Sequence, residues 1–154
     1  MENIDFSYRV CEITAKYSRI VPDQERSQAT GSKELARLFY DFYEKDTIEL
    51  TESCYAMMLN AQLKVLGIVR VGVGSSDMSI IDHRKILQAA LLCNGLRVAL
   101  CHNHPSYHLN PSAEDRQSTR KLSEACSIMG FRLIDHIILD PDGNYYSFAD
   151  NGEL

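Results

Sequence analysis

A short apolar run, Val98-Ala99-Leu100-Cys101, passes without a break into His102-Asn103-His104-Pro105. No other stretch of this chain limits the possible folds so tightly. The run is too short for a helix and reads as a buried strand. A loop from Pro105 to Pro111 follows, and then a long helix that starts at Ser112 and ends at Gly130, with Leu122, Ala125, Cys126 and Met129 facing inward. Phe131 to Leu139 is a second apolar strand. Strand, loop, helix and strand in that order require a sheet with a helix packed on it.

The polar end of the first strand carries chemistry. In an extended backbone, residues i and i+2 point to one face, so His102 and His104 can converge on one metal ion. Asp115 falls in the first turn of the following helix, where a carboxylate gains from the helix dipole. Two imidazoles and a carboxylate, with a fourth position open to water, form the ligand set of a catalytic zinc site. Ser112-x-x-Asp115 also spells a helix capping box, which needs no function. The readings are compatible, because a cap fixes the turn that presents Asp115.

Elsewhere the pattern is alternately strand and helix. Tyr8 to Tyr17 alternates weakly and reads as an early strand. Ser32 caps a helix whose face is Leu35, Leu38, Phe39, Phe42 and Tyr43. Cys54 to Leu59 is a short strand, Asn60-Ala61-Gln62 turns the chain, and Val65 to Val73 returns, with Gly72 and Gly74 marking a bulge or bend. Met78 to Ile81 is a further short strand, and His83 to Cys93 is a helix stopped by Asn94-Gly95. Pro141-Asp142-Gly143-Asn144 is a turn that brings Tyr145 to Phe148 back as a hairpin. The sum is a single-domain α/β fold, a mixed β-sheet flanked by helices. Residues 1–45 read as a strand/helix extension packed on that core, and residues 46–154 as the core itself.

Composition narrows the function. With 16 Lys+Arg against 21 Asp+Glu the formal charge is −5, which argues against a protein that coats nucleic acid, though not against a local basic patch. The five Cys include no CxxC pair, so neither a disulfide framework nor a zinc ribbon is expected, and the chain reads as a reduced, cytoplasmic protein. Met1-Glu2-Asn3-Ile4-Asp5 has no basic region before an apolar core and does not read as a signal peptide. No apolar run approaches the roughly 18 residues that span a bilayer. The oligomeric state is not legible.

Water at such a metal needs a base within hydrogen-bond reach. Glu52, at the start of the strand Cys54 to Leu59, is the candidate, with Glu44, Glu49 and Glu114 as competitors. Ser112 can donate a hydrogen bond to an oxyanion. Asn103, Tyr107 and Arg116 are weaker candidates for touching substrate; Arg116, Arg120 and Lys121 form a basic edge on the metal helix. His136, His83 and His108 read as locally bonded or solvated. Zinc nucleobase deaminases use HxE with PCxxC, and the chain has neither.

Glu52, then His102-x-His104, seven residues, Ser112, two residues and Asp115 resembles the JAMM metalloprotease motif of the JAB/MPN superfamily. His102-Asn103-His104-Pro105-Ser106, Pro111-Ser112, Leu133-Ile134-Asp135-His136 and Leu59-Asn60 look more narrowly like its RadC-like branch. The resemblance spans roughly Asp46 to the end. It implies a cytidine-deaminase-like α/β fold and one zinc per chain held by His102, His104, Asp115 and water. It further implies Glu52 as acid/base, Ser112 as oxyanion stabiliser, and hydrolysis of peptide or isopeptide bonds in a peptide or protein substrate. The alternative is a DNA-repair or mobile-element-associated accessory protein that keeps the metal site, binds DNA and has no peptidase activity. Two departures stand out. The branch usually has Gly where this chain has Tyr107, so a left-handed backbone there is strained or the loop differs. Longer RadC-like chains also carry an upstream helix-hairpin-helix-like region, for which the segment before Glu52 is too short.

Overall fold

Ser53–Leu59 (β1) is apolar at nearly every position because both of its faces are covered. Tyr55, Met57 and Leu59 enter one core, while Cys54, Ala56 and Met58 enter another on the opposite face. The computed structural model describes residues 11, 13–74 and 81–154. Strand β1 pairs antiparallel with Val65–Val73 (β2) on one side and with Arg97–Asn103 (β3) on the other. Strand β3 runs parallel to Arg132–Leu139 (β4), which carries Tyr145–Ser147 (β5) as an antiparallel edge. The order is β2-β1-β3-β4-β5, the expected mixed sheet.

Among the described residues, three α-helices cover it. Ser32–Phe42 (α1) buries Leu35, Ala36 and Phe39 against Met57, Leu59, Ala99 and Ile137 on one face. His83–Leu92 (α2) and Ala113–Ile128 (α3) lie on the other, burying Ile86, Ala90, Leu122 and Cys126. Helix α3 is the crossover that a parallel β3–β4 pair requires.

Local chemistry explains the boundaries. Asp82 caps α2 by accepting from the Lys85 N–H, and Asn94 ends it in the left-handed region at φ 54°. The β1–β2 turn is held by the Asn60 carboxamide oxygen, which accepts from the Gln62 and Lys64 N–H groups. The expected bulge is real: Cys54 faces Gly72 and Tyr55 faces Arg70, leaving Val71 extra. The 141–144 turn closes on the Asp140 carboxylate, with Gly143 at φ 85°.

Some expectations change. The N-cap of α1 is Gly31; Ser32 is the first helical residue and its hydroxyl goes to Asp150. Phe42, on the expected buried stripe, is exposed, because α1 ends there and Tyr43 turns in instead. Met129 is also exposed, since it is the C-cap beyond the last packed turn of α3. Of the strand expected over Tyr8 to Tyr17, residues 8–10 and 12 lie outside the described residues, and Cys11 and 13–17 form no strand. Residues 78–80 of the one expected over Met78 to Ile81 also lie outside them, and Ile81 is in no strand. No helix among the described residues is long and apolar enough to cross a membrane.

Candidate metal centre

Strand parity sets the first ligand. Val98 and Leu100 face the α3 side of the sheet, so His102 does too, and it is completely buried there. His104 follows just beyond the strand end, and Asp115 projects from the first turn of α3. His102 Nε2 and His104 Nε2 stand 2.9 Å apart. Asp115 Oδ1 lies 3.3 Å from the first ring nitrogen and Oδ2 lies 3.7 Å from the second. Among the described residues these three form the one group able to share a metal ion, one ligand atom from each within 4.8 Å of the others.

The capping box is also present. Asp115 Oδ2 accepts from the Ser112 N–H and hydroxyl, each at 2.8 Å, and the Ser112 oxygen accepts from the Asp115 N–H at 3.0 Å. The cap and the candidate ligand are the same residue, and the cap leaves Oδ1 facing His102. His104 Nδ1 faces the His108 carbonyl, which only accepts, so its proton sits on Nδ1 and a lone pair on Nε2 points inward. Two imidazole nitrogens and a carboxylate thus converge in a group that could hold a cation. Cys54 is not in this group; burial first, then the Asp115 and Glu52 charges, push its thiol pKa up.

Without a metal, the site favours a proton on His104. Burial opposes charge on His104, but the Asp115 hydrogen bond, the His108 carbonyl and the Asp115 and Glu52 charges outweigh it and raise its pKa. Burial also opposes charge on Asp115, yet the two histidines and the Ser112 N–H hold its carboxyl far below the ordinary range. A raised His104 pKa gives stability that is fully present below the unfolded value of about 6.5 and is lost as pH rises through the folded value. Metal-free protein is therefore expected to be more stable at pH 6 than at pH 8.5. Denaturant unfolding of chelator-treated protein checks this; a midpoint that does not move, or the same slope in His104→Ala, contradicts it.

Glu52 stands one position beyond Ser53. Continuing the antiparallel register from Cys54 opposite His102 puts Glu52 opposite His104, and its charge is felt at both His104 and Cys54. Its carbonyl accepts from the Gly74 N–H at 2.9 Å. The competitors are placed elsewhere: Glu44 lies 4.0 Å from Arg70, Glu49 accepts from the Tyr107 hydroxyl, and Glu114 is solvent-exposed on α3.

Asn103 lies on the sheet face opposite His102. It is fully buried on the α1 side of β3, donating to the Ile48 and Thr51 carbonyls at 2.7 and 3.0 Å and accepting from the Ser53 N–H at 2.7 Å. It therefore clamps the segment that delivers Glu52. Asn103→Ala is expected to destabilise the fold by about 3 kcal/mol, because it strands buried backbone groups. Urea unfolding measures this; a loss below about 1 kcal/mol removes the clamp.

Arg116 is not free for substrate either. Its Nε and Nη2 pair with Glu153 at 2.7 and 3.2 Å, and its Nη1 donates to the Pro111 carbonyl. It ties the end of the chain to the ligand loop. Tyr107 sits at φ 64°, the left-handed backbone that favours glycine. Its half-exposed ring reaches Glu49, 3.1 Å from the hydroxyl, and so joins the ligand loop to the segment before Glu52.

Two residues that touch the group, His136 and Thr119, were not among the candidate ligand or catalytic residues read from the sequence. His136 does bond locally, but its partner is His102, with 2.8 Å between His102 Nδ1 and His136 Nε2. Thr119 lies 2.7 Å from the other His136 nitrogen. The available signals were a histidine inside the apolar run of β4 and a threonine one turn after Asp115. His83 opens α2 and meets Ser118.

A mixed sheet with helices on both faces and a His-His-Asp group at the end of its central strand defines a JAB-type α/β domain, the class that includes the JAMM metallohydrolases. The chain belongs to the RadC-like JAB domain family, which matches residues 29–153. It is 34% identical over 140 residues to a UPF0758 protein of Porphyromonas gingivalis, covering 89% of this chain and 60% of that one. A UPF0758 protein of Thermotoga maritima is 42% identical over 96 residues, 62% of this chain and 43% of its own. One from Clostridium acetobutylicum is 36% identical over 130 residues, 84% and 55% respectively. The chain thus spans about half the length of the curated relatives it matches.

Proposed function

We propose that this domain hydrolyses amide bonds, peptide or isopeptide, in a peptide or protein substrate, with one zinc ion held by His102, His104 and Asp115. The observation that supports the reading is the convergence of three possible ligand atoms, one each from His102, His104 and Asp115, within 4.8 Å of one another. The N,N,O donor set suits zinc. When bound, the metal supplies an electrophile for the substrate carbonyl and acidifies water to a pKa near 7.

The chain's own residues do the rest. The Glu52 carboxylate takes a proton from the attacking water as the new C–O bond forms, and delivers it to the nitrogen as the C–N bond breaks. Ser112 turns its hydroxyl from Asp115 to the developing oxyanion, while its N–H keeps the carboxylate in place. Asn103 holds the Glu52 segment, and Tyr107 with Glu49 forms the wall between the two loops. A nucleic-acid partner is disfavoured by the −5 charge and by the commitment of Arg116 to Glu153.

The test is incubation of zinc-loaded protein with peptide mixtures and with isopeptide-linked conjugates, read by mass spectrometry. Cleavage that disappears on chelation and returns with zinc is the expected result. Salt-dependent DNA binding without any hydrolysis would replace this reading with the accessory one.

A further inference from the structure

We infer that His136 and Thr119 are positioning residues: they form a one-way hydrogen-bond chain that fixes His102 as the Nδ1–H tautomer and leaves its Nε2 lone pair facing His104 and Asp115. The inference rests on the metal site proposed above and concerns how that site is prepared before any ion arrives.

The direction of each bond follows from the one before. The Thr119 hydroxyl is 2.6 Å from the Asp115 backbone carbonyl, one helical turn back. A carbonyl only accepts, so the single hydroxyl proton is spent there. Thr119 Oγ1 therefore accepts from the His136 Nδ1 that stands 2.7 Å away, and that nitrogen carries a proton. His136 is fully buried between His102, Thr119 and the face of Phe148, whose ring stacks on it at 4.7 Å and 10°. An imidazole whose one proton sits on Nδ1 has a bare acceptor nitrogen at Nε2. That bare nitrogen lies 2.8 Å from His102 Nδ1, which must then donate. The proton of His102 is thereby held on Nδ1, away from the site.

The circuit closes on itself. Helix α3 presents the Asp115 carboxylate to His102 directly, and its backbone carbonyl orients the same ring through Thr119 and His136. One turn of helix sets both the ligand and the tautomer of its neighbour. Outer partners of this kind change metal affinity without touching the ion.

The experiment uses the 154-residue chain labelled with ¹⁵N-histidine. Long-range ¹H–¹⁵N spectra of metal-free wild type should show His102 and His136 both protonated at Nδ1 and bare at Nε2. A proton on His102 Nε2, or a bare His136 Nδ1, overturns the inference. Zinc affinity by chelator competition then separates positioning from packing. Thr119→Val removes the acceptor at nearly constant volume and is expected to weaken zinc about 10–100-fold, whereas Thr119→Ser keeps it within about threefold. Equal zinc affinity in the two variants, with His102 unchanged, also overturns it. The wild-type spectrum decides the proton arrangement even where a variant fails to fold. The tautomers are read without metal or substrate, so a protein that hydrolysed nothing would sink the proposed function and leave this inference standing.

Discussion

Alanine at His104 is expected to abolish stoichiometric zinc binding while the domain stays folded. The His104 side chain is 13% exposed against 0% for His102, and what is lost is one of three possible donor atoms. The affinity loss should exceed about 100-fold, the upper end of the range for removing an outer partner. It has a second readout. A metal present at 100 times its Kd stabilises a folded chain by about 2.7 kcal/mol, and a 100-fold loss of affinity cuts this to about 0.4 kcal/mol. His104→Ala should therefore lose nearly all zinc-dependent thermal protection. His102→Ala should bind no better and unfold more readily, because His102 is fully buried and its loss leaves the His136 Nε2 without a donor. Metal analysis showing one zinc per chain in both variants would remove the site.

Glu52→Gln is expected to do the opposite: full zinc content, unchanged stability and little turnover. The substitution keeps size and hydrogen-bonding capacity but not proton affinity. Loss of a positioned general base lowers rates by about 10²–10⁴, or about 3–5 kcal/mol of transition-state stabilisation. The loss should fall on kcat rather than on KM, since the carboxylate acts on the moving proton. Unchanged hydrolysis by zinc-loaded Glu52→Gln would take Glu52 out of the mechanism. The two substitutions together separate holding the metal from using it.

Much of this was legible along the chain. Val65 to Val73 emerges as a strand with those bounds, and Ser112 is the cap of a helix ending before Gly130, because hydrophobic period and capping chemistry are local signals. The pairing of His102 with His104 follows from the two-residue repeat of a strand, and Asp115 from the first turn of a helix that a capping box announces. Where local signals were weak, as at Phe42 and Met129, packing at the helix ends decided which side chains were buried.

The other roles depend on neighbours distant in sequence. Asn103 looked like a substrate contact because it stands between two ligands, yet strand parity turns it to the opposite face, where its partners lie 50 to 55 residues earlier. Arg116 looked like a free cation until the fold brought Glu153 to it. His136 looked like an incidental histidine; the parallel pairing of β3 and β4 sets it beside His102, across 34 residues of sequence. The amino-acid sequence by itself determined which atoms can hold a metal, since ligand type, strand repeat and helix cap are properties of neighbouring residues. Only the tertiary structure decided which way their protons point and what holds the Glu52 segment, because a hydrogen bond's direction is set by the whole chain of donors and acceptors around it.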